Sequence, residues 1–407
     1  MTVLLSELPA VAGVGAIATG LLLVQLPSVF LLIARLLRGP GRLPPLRPQQ
    51  ATPDLLGAVS VVVPTLNEAE RISPCLAGLM QQGYELREVL VVDSHSQDGT
   101  GDLVKAAGRR DPRIRLTHDD PLPAGWVGRP WALHNGFLQS SEASRWILGI
   151  DADTQPQPGL IASLVKTAEA QGFDLVSLAP QFILKTAGEW WLQPALLMTL
   201  LYRFGPAGSA GEASERVMAN GQCFLARRSL LSALGGYASA RHSFCDDVTL
   251  ARNAAAQGAK VGFLDGSPLL KVRMYEGMQE TWEEWGRSLD LKDACTAAQK
   301  WGDLGFLVAV QGLPLVATVT LGALLLMGYR MLPVELAFGL NLGLLLIRVA
   351  LLFAIQSSYD RTQGNGRWAF WLSPLADPAA VYRIFLSSIR QPKRWRGREY
   401  TTLQEPL

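Results

Sequence analysis

Two carboxylates one residue apart, Asp151 and Asp153, close an apolar run from Ile147 to Ile150. The run predicts a buried strand. Side chains two apart on an extended backbone share a face, so both acids are expected on one side of the strand end, where open α/β sheets place ligands. Like charges held together in poor solvation repel unless a cation sits between them. A hard divalent cation carrying phosphate oxygens suits such donors. The competing reading is a solvated Asp-rich turn ahead of Pro156 and Pro158. A second acidic pair, Asp246 and Asp247, opens an amphipathic stretch that predicts a helix to Gln257.

The elements around these pairs follow from hydrophobic pattern. Val59–Val63, Glu88–Val92, Arg113–Thr117, Asp174–Leu178, Gly221–Leu225 and Lys260–Leu264 have strand character. Between them lie helical patterns: one with Ile72, Leu76, Leu79 and Met80 on one face, then Arg129–Gln139 and Leu160–Ala170. Strand–helix alternation at this spacing predicts βαβ units and a mainly parallel sheet. Polar turns follow two strands, Pro64-Thr-Leu-Asn-Glu68 and Asp93-Ser-His-Ser-Gln-Asp-Gly-Thr100.

The chain has 407 residues, 49% hydrophobic and 18% charged, with a formal charge of +2. That balance is too apolar for a plain soluble enzyme and too polar for a pure transporter. Residues 11–37 carry no charge before Arg35 and exceed the ~20 residues needed to cross a bilayer. Basic residues follow the stretch, which predicts a transmembrane helix with the chain after it in the cytoplasm. A Pro-rich linker runs to about residue 57. Leu304–Tyr329 and Val334–Ile355 predict a transmembrane hairpin. Arg348 inside the second span reads either as a functional group or as a side chain snorkelling to the cytoplasmic interface.

Three further stretches bear on the membrane. Glu189–Phe204 is too short to span, and reads as a core helix or an interfacial one. Met278–Lys300 is amphipathic and is expected along the membrane surface. Gly205–Glu215 reads as a Gly/Ala/Ser-rich loop, and Arg390–Arg398 as a basic anchor for anionic lipid rather than nucleic acid. The expected organisation is therefore 1–57 span and linker, 58–270 catalytic domain, 271–303 interfacial segment, 304–356 hairpin and 357–407 amphipathic basic cytoplasmic tail. Cys75, Cys223, Cys245 and Cys295 lack metal-type spacing and are expected as free thiols.

Four motifs occur in order: Pro64-Thr-Leu-Asn-Glu68, Val91-Val-Asp-Ser-x-Ser-x-Asp-Gly-Thr100, Asp151-Ala-Asp153 and Asp246-Asp-Val-Thr-Leu250. Together with Gly128-Arg-Pro-Trp-Ala-Leu-His-Asn-Gly136, the set resembles the inverting family 2 glycosyltransferases of GT-A fold. That resemblance implies a Rossmann-like α/β domain over about residues 58–270, joined here to about three transmembrane helices. It implies a nucleotide-sugar donor, UDP- or GDP-linked, and a Mg²⁺ or Mn²⁺ cofactor. Pro64, Thr65, Asn67 and Glu68 would shape the nucleotide cradle, Asp93 would meet the base, and Asp98 would support its loop. Arg129 would contact phosphate, its alternative being a surface loop arginine. Asp153, helped by Asp151, would hold the metal. Asp247 matches the family's general base; Asp246 before it replaces the usual Glu, so both are candidates.

Trp395-Arg-Gly-Arg-Glu-Tyr400 resembles the tails of bacterial transferases acting on terpenoid lipids, such as carotenoid 2'-O-glycosyltransferases. The acceptor is therefore expected to be a membrane lipid, a carotenoid first, with a hopanoid, ceramide or diacylglycerol as alternatives. Trp190, Trp191, Trp282 and Trp285 are the candidates to line its entry. Arg394 and Trp395, within Gln391-Pro-Lys-Arg-Trp395, read as a displaced acceptor contact or a coincidence. Three spans are too few for a polymer channel, so a single transfer is expected. The expected setting is a bacterial cell membrane or photosynthetic membrane, with the catalytic domain cytoplasmic. An inactive GT-A scaffold is the rival from another class.

Overall fold

The computed structural model describes residues 2–209, 213–285, 289, 291–390, 394–395 and 398–399. The chain begins with α1 (Thr2–Leu36). Its Pro-rich continuation forms no long helix and is laced onto the domain that follows. Leu43 N–H donates to the Gly208 carbonyl and Leu46 N–H to that of Asp265, both at 2.9 Å. The linker is thus a strap rather than a spacer. It also ties down the described part of the Gly205–Glu215 loop, of which residues 210–212 lie outside the described set.

The domain runs β1 (Val59–Thr65), α2 (Ile72–Met80), β2 (Leu86–Asp93), α3 (Thr100–Arg110), β3 (Ile114–His118), α4 (Gly128–Gln139), β4 (Trp146–Ile150), β5 (Thr154–Pro156) and α5 (Leu160–Gln171). It continues through β6 (Leu175–Ala179), β7 (Gln181–Ile183), α6 (Ala187–Phe204), β8 (Cys223–Arg227), α7 (Arg228–Ala233), α8 (Asp246–Ala256), β9 (Val261–Asp265) and β10 (Leu270–Val272). The main sheet has the order β3-β2-β1-β4-β8-β6-β9. All neighbours are parallel except β8, which is antiparallel to both β4 and β6. Its inner strands β2, β1, β4, β8 and β6 are buried on both faces almost throughout, which explains their apolar runs. Helix α4 lies so close to β1 that a Cβ on Gly136 would come within 2.2 Å of Val62 Cγ1.

A second small sheet, β11-β7-β10-β5, includes β11 (Tyr359–Asp360) from beyond the apolar helices. Lys271 on β10 donates to the Asp360 carboxylate at 2.8 Å, pinning that distant strand to the domain.

The expected surface helix over Met278–Lys300 is broken. It resolves into α9 (Gly277–Glu280), a π-turn at Thr281–Trp285 and a 3-10 turn at Lys292–Ala294. Trp285, Leu289 and Leu291 are buried against protein. The amphipathic pattern was real, but its apolar side faces the domain. Helix Glu189–Phe204 is likewise a core element: Trp190, Leu192, Leu196, Met198 and Tyr202 are almost fully buried.

Among the described residues, three helices are long and apolar enough to cross a membrane, over Ala12–Gly41, Ala297–Leu326 and Leu332–Ser358. The second joins α10 (Ala297–Leu307) to α11 (Leu313–Leu326) through a π-turn, and the third is α12 (Leu332–Ile355). Buried amides lock two of them: Gln25 and Asn341 exchange side-chain hydrogen bonds at 2.9 Å in both directions. Such pairs within apolar helices contribute roughly 0.6–2 kcal/mol and, more usefully, fix register.

Arg348 does not snorkel. It is 2% exposed and donates to Asp377 from Nε at 2.8 Å and Nη2 at 3.1 Å. Asp377 opens α13 (Asp377–Ile389), which follows a 3-10 helix over Arg367–Ala376. The stretch expected as a basic tail is therefore folded helical structure through residue 389. Beyond it, Gln391 lies outside the described residues. Arg394 and Trp395 are described as a short backbone ladder, β12 (Arg394–Trp395) against β13 (Arg398–Glu399).

Candidate active site

The parallel strands β1, β2 and β4 deliver their following loops to one sheet edge. Because β8 runs the other way, residues 220–222 enter that same edge, as does the start of α8. The sheet thus collects acids from four remote stretches. They border a cavity of about 1050 Å³.

The loops after β1 and β2 are zipped together. Asn67, at φ 56°, donates its N–H to Ser96 Oγ at 2.8 Å and accepts from Gln97 N–H at 3.0 Å. Asp98 accepts from Ala69 N–H at 2.9 Å and Thr100 N–H at 3.0 Å. Those bonds hold its carboxyl below the usual range against the raising effect of burial. Asp98 supports its loop as expected, and also borders the cavity. Asp93 sits beneath the cavity wall, 3% exposed. Its oxygens accept from Thr65 Oγ1 at 3.2 Å and from Ser96 Oγ and N–H at 2.5 and 3.1 Å. Asn67 and Glu68 line the cavity, whereas Pro64, Thr65 and Asp93 lie behind it.

Asp151 and Asp153 both line the cavity, but not through an extended backbone. Thr154 Oγ1 donates to the Asp151 carbonyl at 2.7 Å, closing a turn from residue 151 to 154 with Ala152 buried inside it. Burial, reinforced by the nearby Asp151 charge, pushes Asp153 up to about 8.

Arg129 lines the cavity and is not a surface arginine. It stands in the first turn of α4 with its side chain 12% exposed. Nε donates to Asp151 at 2.9 Å, Nη1 to Asp246, and Nη2 to the Gly221 carbonyl at 2.6 Å. Burial alone would lower its pKa, but the carboxylates of Asp151, Asp246 and Asp247 outweigh burial and hold it protonated.

This fork separates the two acids of α8. Asp246 is buried and committed to Arg129. Asp247 is half-buried, accepting from Gly221 N–H at 2.5 Å and Val248 N–H at 2.8 Å. Burial raises its pKa, and Arg129 draws it partly back. Gly221 therefore connects Arg129 and Asp247 through the carbonyl and N–H of one residue. A Cβ there would meet Arg129 Nη2 at 2.6 Å. Sequence reasoning took Gly221 only as a strand start; the glycine in Asn220-Gly-Gln222 was the available signal.

Arg71 was also missed. It lines the cavity and bridges to Glu280 at 3.1 Å. Glu189 and Arg273 form a further buried pair, with Nη1–Oε2 at 2.6 Å and Nη2–Oε1 at 3.0 Å, that seats β10 beneath the site. Apolar side chains also line the cavity, among them Phe182, Leu197, Leu200, Phe263, Trp285 and Leu291. Of the four candidate acceptor tryptophans, only Trp285 lines it. Trp190 is buried against Tyr359 and Phe370, Trp191 packs on the same core, and Trp282 lies under Arg383.

A mainly parallel sheet thus gathers acidic pairs at one edge. Residues 60–235 match the family model Glycosyl transferase family 2. The chain is 32% identical over 132 residues to glycosyltransferase AglE of Haloferax volcanii, covering 32% of this chain and 41% of that one. It is 25% identical over 235 residues to 4,4'-diaponeurosporenoate glycosyltransferase of Staphylococcus aureus, covering 57% and 60%. The chain thus spans less than two thirds of either relative. Among solved structures it is similar to a mannosyltransferase of Pyrobaculum calidifontis in complex with GDP-Man and Mn²⁺. The TM-score there is 0.46 at 20% identity, covering 84% of this chain and 99% of the other.

Proposed function

We propose that this glycosyltransferase is membrane-bound, metal-dependent and inverting, and moves one sugar from a nucleotide-diphosphate sugar to a hydroxyl of a membrane lipid. One observation carries the reading: a single cavity is lined both by the acids of the sheet edge and by apolar side chains. The chain that holds it has three span-grade helices.

The donor set fits a hard divalent ion. Asp153 and Asp151 offer oxygen ligands, and Asp153 stands in a buried, electronegative position that favours a nearby cation. Asp153 is the leading ligand, because Arg129 already engages Asp151. A bound Mg²⁺ or Mn²⁺ supplies charge neutralisation for the departing diphosphate.

The chain's own residues do the rest. The zipped loops at residues 66–71 and 94–100 present Asn67 and Glu68 to the donor and keep the cradle shaped before it binds. Arg129 holds Asp246 in place and neutralises it, so that one acid, Asp247, remains as the base. Asp247 takes the acceptor hydroxyl proton as the oxygen attacks the anomeric carbon and the bond to diphosphate breaks. Inversion needs no protein nucleophile, so the buried thiols of Cys223 and Cys245 have packing roles.

The apolar part of the lining suits a lipid. The activity of the Staphylococcus aureus relative supports a carotenoid; a hopanoid, ceramide or diacylglycerol is the alternative. The basic residues after α1 support an amino terminus outside and a cytoplasmic domain at a bacterial cell membrane or photosynthetic membrane. The test is turnover in nanodiscs with a panel of nucleotide sugars, Mn²⁺ or Mg²⁺, and total lipid extract, read by mass. A lipid gaining one sugar supports the reading. Donor binding with no turnover on any lipid would favour the inactive scaffold instead.

A further inference from the structure

Residues 367–389 are apolar on both sides. Their inward side packs Phe370, Ala380, Val381 and Ile384 into the core, with Ser373 and Asp377 buried among them. Their outward side carries Trp368, Trp371, Leu375, Tyr382, Phe385 and Ile389, which are 39–66% exposed. The spacing puts 382, 385 and 389 on one stripe of α13. No charge interrupts the stripe: Arg367 and Arg390 stand at its ends, and Arg383 turns back to donate to the Trp282 and Glu283 carbonyls at 2.7 and 3.0 Å.

The patch is continuous with an apolar span. The Trp371 ring lies 5.0 Å from that of Phe353, which is 64% exposed on α12. Exposed aromatic surface therefore continues from the end of the span onto the 3-10 helix, and α13 carries a further exposed aromatic pair, Tyr382 and Phe385. Water-facing patches of this extent are rare on soluble monomers, and Trp and Tyr concentrate at membrane boundaries.

We propose that residues 367–389 form an in-plane membrane element, with this aromatic face inserted among lipids at the level where α12 ends. The proposal rests on the reading of the three apolar helices as membrane spans. The occupant is the bilayer, because the patch continues a lipid-facing helix and is apolar rather than charged. The opposite side of the element holds the cavity wall. Besides the Arg383 contacts, Lys292 donates to the carbonyls of Ser387 at 2.9 Å and Arg390 at 2.5 Å, and Lys300 to that of Ser388 at 3.2 Å. Glu283, Trp285 and Leu291 of the bonded stretch line the cavity. Insertion of α13 thereby sets this stretch of the cavity wall at the membrane surface.

Spin labels on the full chain in nanodiscs test this, with the half-buried native thiol removed by Cys295→Ser. Leu375→Cys, Tyr382→Cys and Phe385→Cys are labelled singly and compared in their relaxation by oxygen and by a water-soluble nickel chelate. Leu346→Cys, exposed in mid-span on α12, reports the bilayer. Leu138→Cys, exposed on α4, reports water. All five sites are exposed, so folding is preserved, and three test positions guard against one failed variant. Oxygen dominating at 375, 382 and 385, with an oxygen-to-nickel ratio several-fold above that at 138, is expected. Nickel dominating there while oxygen dominates at 346 overturns the proposal and leaves the spans intact. Nickel dominating at 346 as well overturns both. Spin–spin broadening at 375, 382 and 385 that vanishes on dilution with unlabelled protein shows a second copy on the face, and also overturns it.

Discussion

Arg129 donates from Nε to Asp151 Oδ1 at 2.9 Å, joining the first turn of α4 to the end of β4. The same guanidinium reaches Asp246 and the Gly221 carbonyl. It is the positive centre of a site made almost wholly of acids. Its planar fork satisfies three groups at fixed angles, which an ammonium does not reproduce. Arg129→Lys is expected to lose about 10²-fold or more in turnover, with a circular dichroism spectrum like that of the parent. Near-parental turnover would show that the fork has no functional part.

Asp153→Asn should bind metal and donor poorly yet fold well. Burial already disfavours the Asp153 charge, so an uncharged isostere removes an electrostatic penalty. The expected pattern is an unchanged or raised Tm together with lost Mn²⁺-dependent nucleotide-sugar binding by calorimetry. Donor binding equal to that of the parent would remove Asp153 from the metal site.

The pH profile follows from Asp247. A base must be ionised, and burial raises the Asp247 pKa above the usual carboxylate range. Below that raised pKa the base is protonated and inactive. The acid limb of kcat/KM should therefore lie above the ordinary carboxylate range. Because Arg129 pulls this pKa down, residual activity in Arg129→Lys should show an acid limb at equal or higher pH, never lower.

Arg348 and Asp377 make a separable claim about stability. Breaking a buried pair by removing one partner costs about 3–5 kcal/mol, whereas replacing both with apolar groups is often nearly neutral. Arg348→Met and Asp377→Leu should each lower the Tm in detergent, and the double variant should recover much of the loss. Additive losses would mean the two residues act independently.

Much of the sheet was legible because β1, β2, β4 and β6 are buried runs flanked by turn residues. The small sheet was not, since β5, β7, β10 and β11 have two or three residues and show no period. Periodicity found the amphipathic stretch after residue 277 but not what its apolar side touches; Trp285 and Leu289 met protein rather than lipid. The acids of the site stood out as motifs. Arg129 was noticed, yet its partners lie 22 and 117 residues away, a distance no local pattern spans. Arg348 was ambiguous for the same reason, its partner Asp377 lying 29 residues on.

The account rests on Asp247 as the base in transfer to a lipid. The most direct measurement is the rate of glycolipid formation by Asp247→Asn against the parent, in nanodiscs at saturating nucleotide sugar and Mn²⁺. The account predicts donor binding within error of the parent and a rate about 10²–10⁴-fold lower. A variant that binds donor and turns over at the parental rate would contradict it.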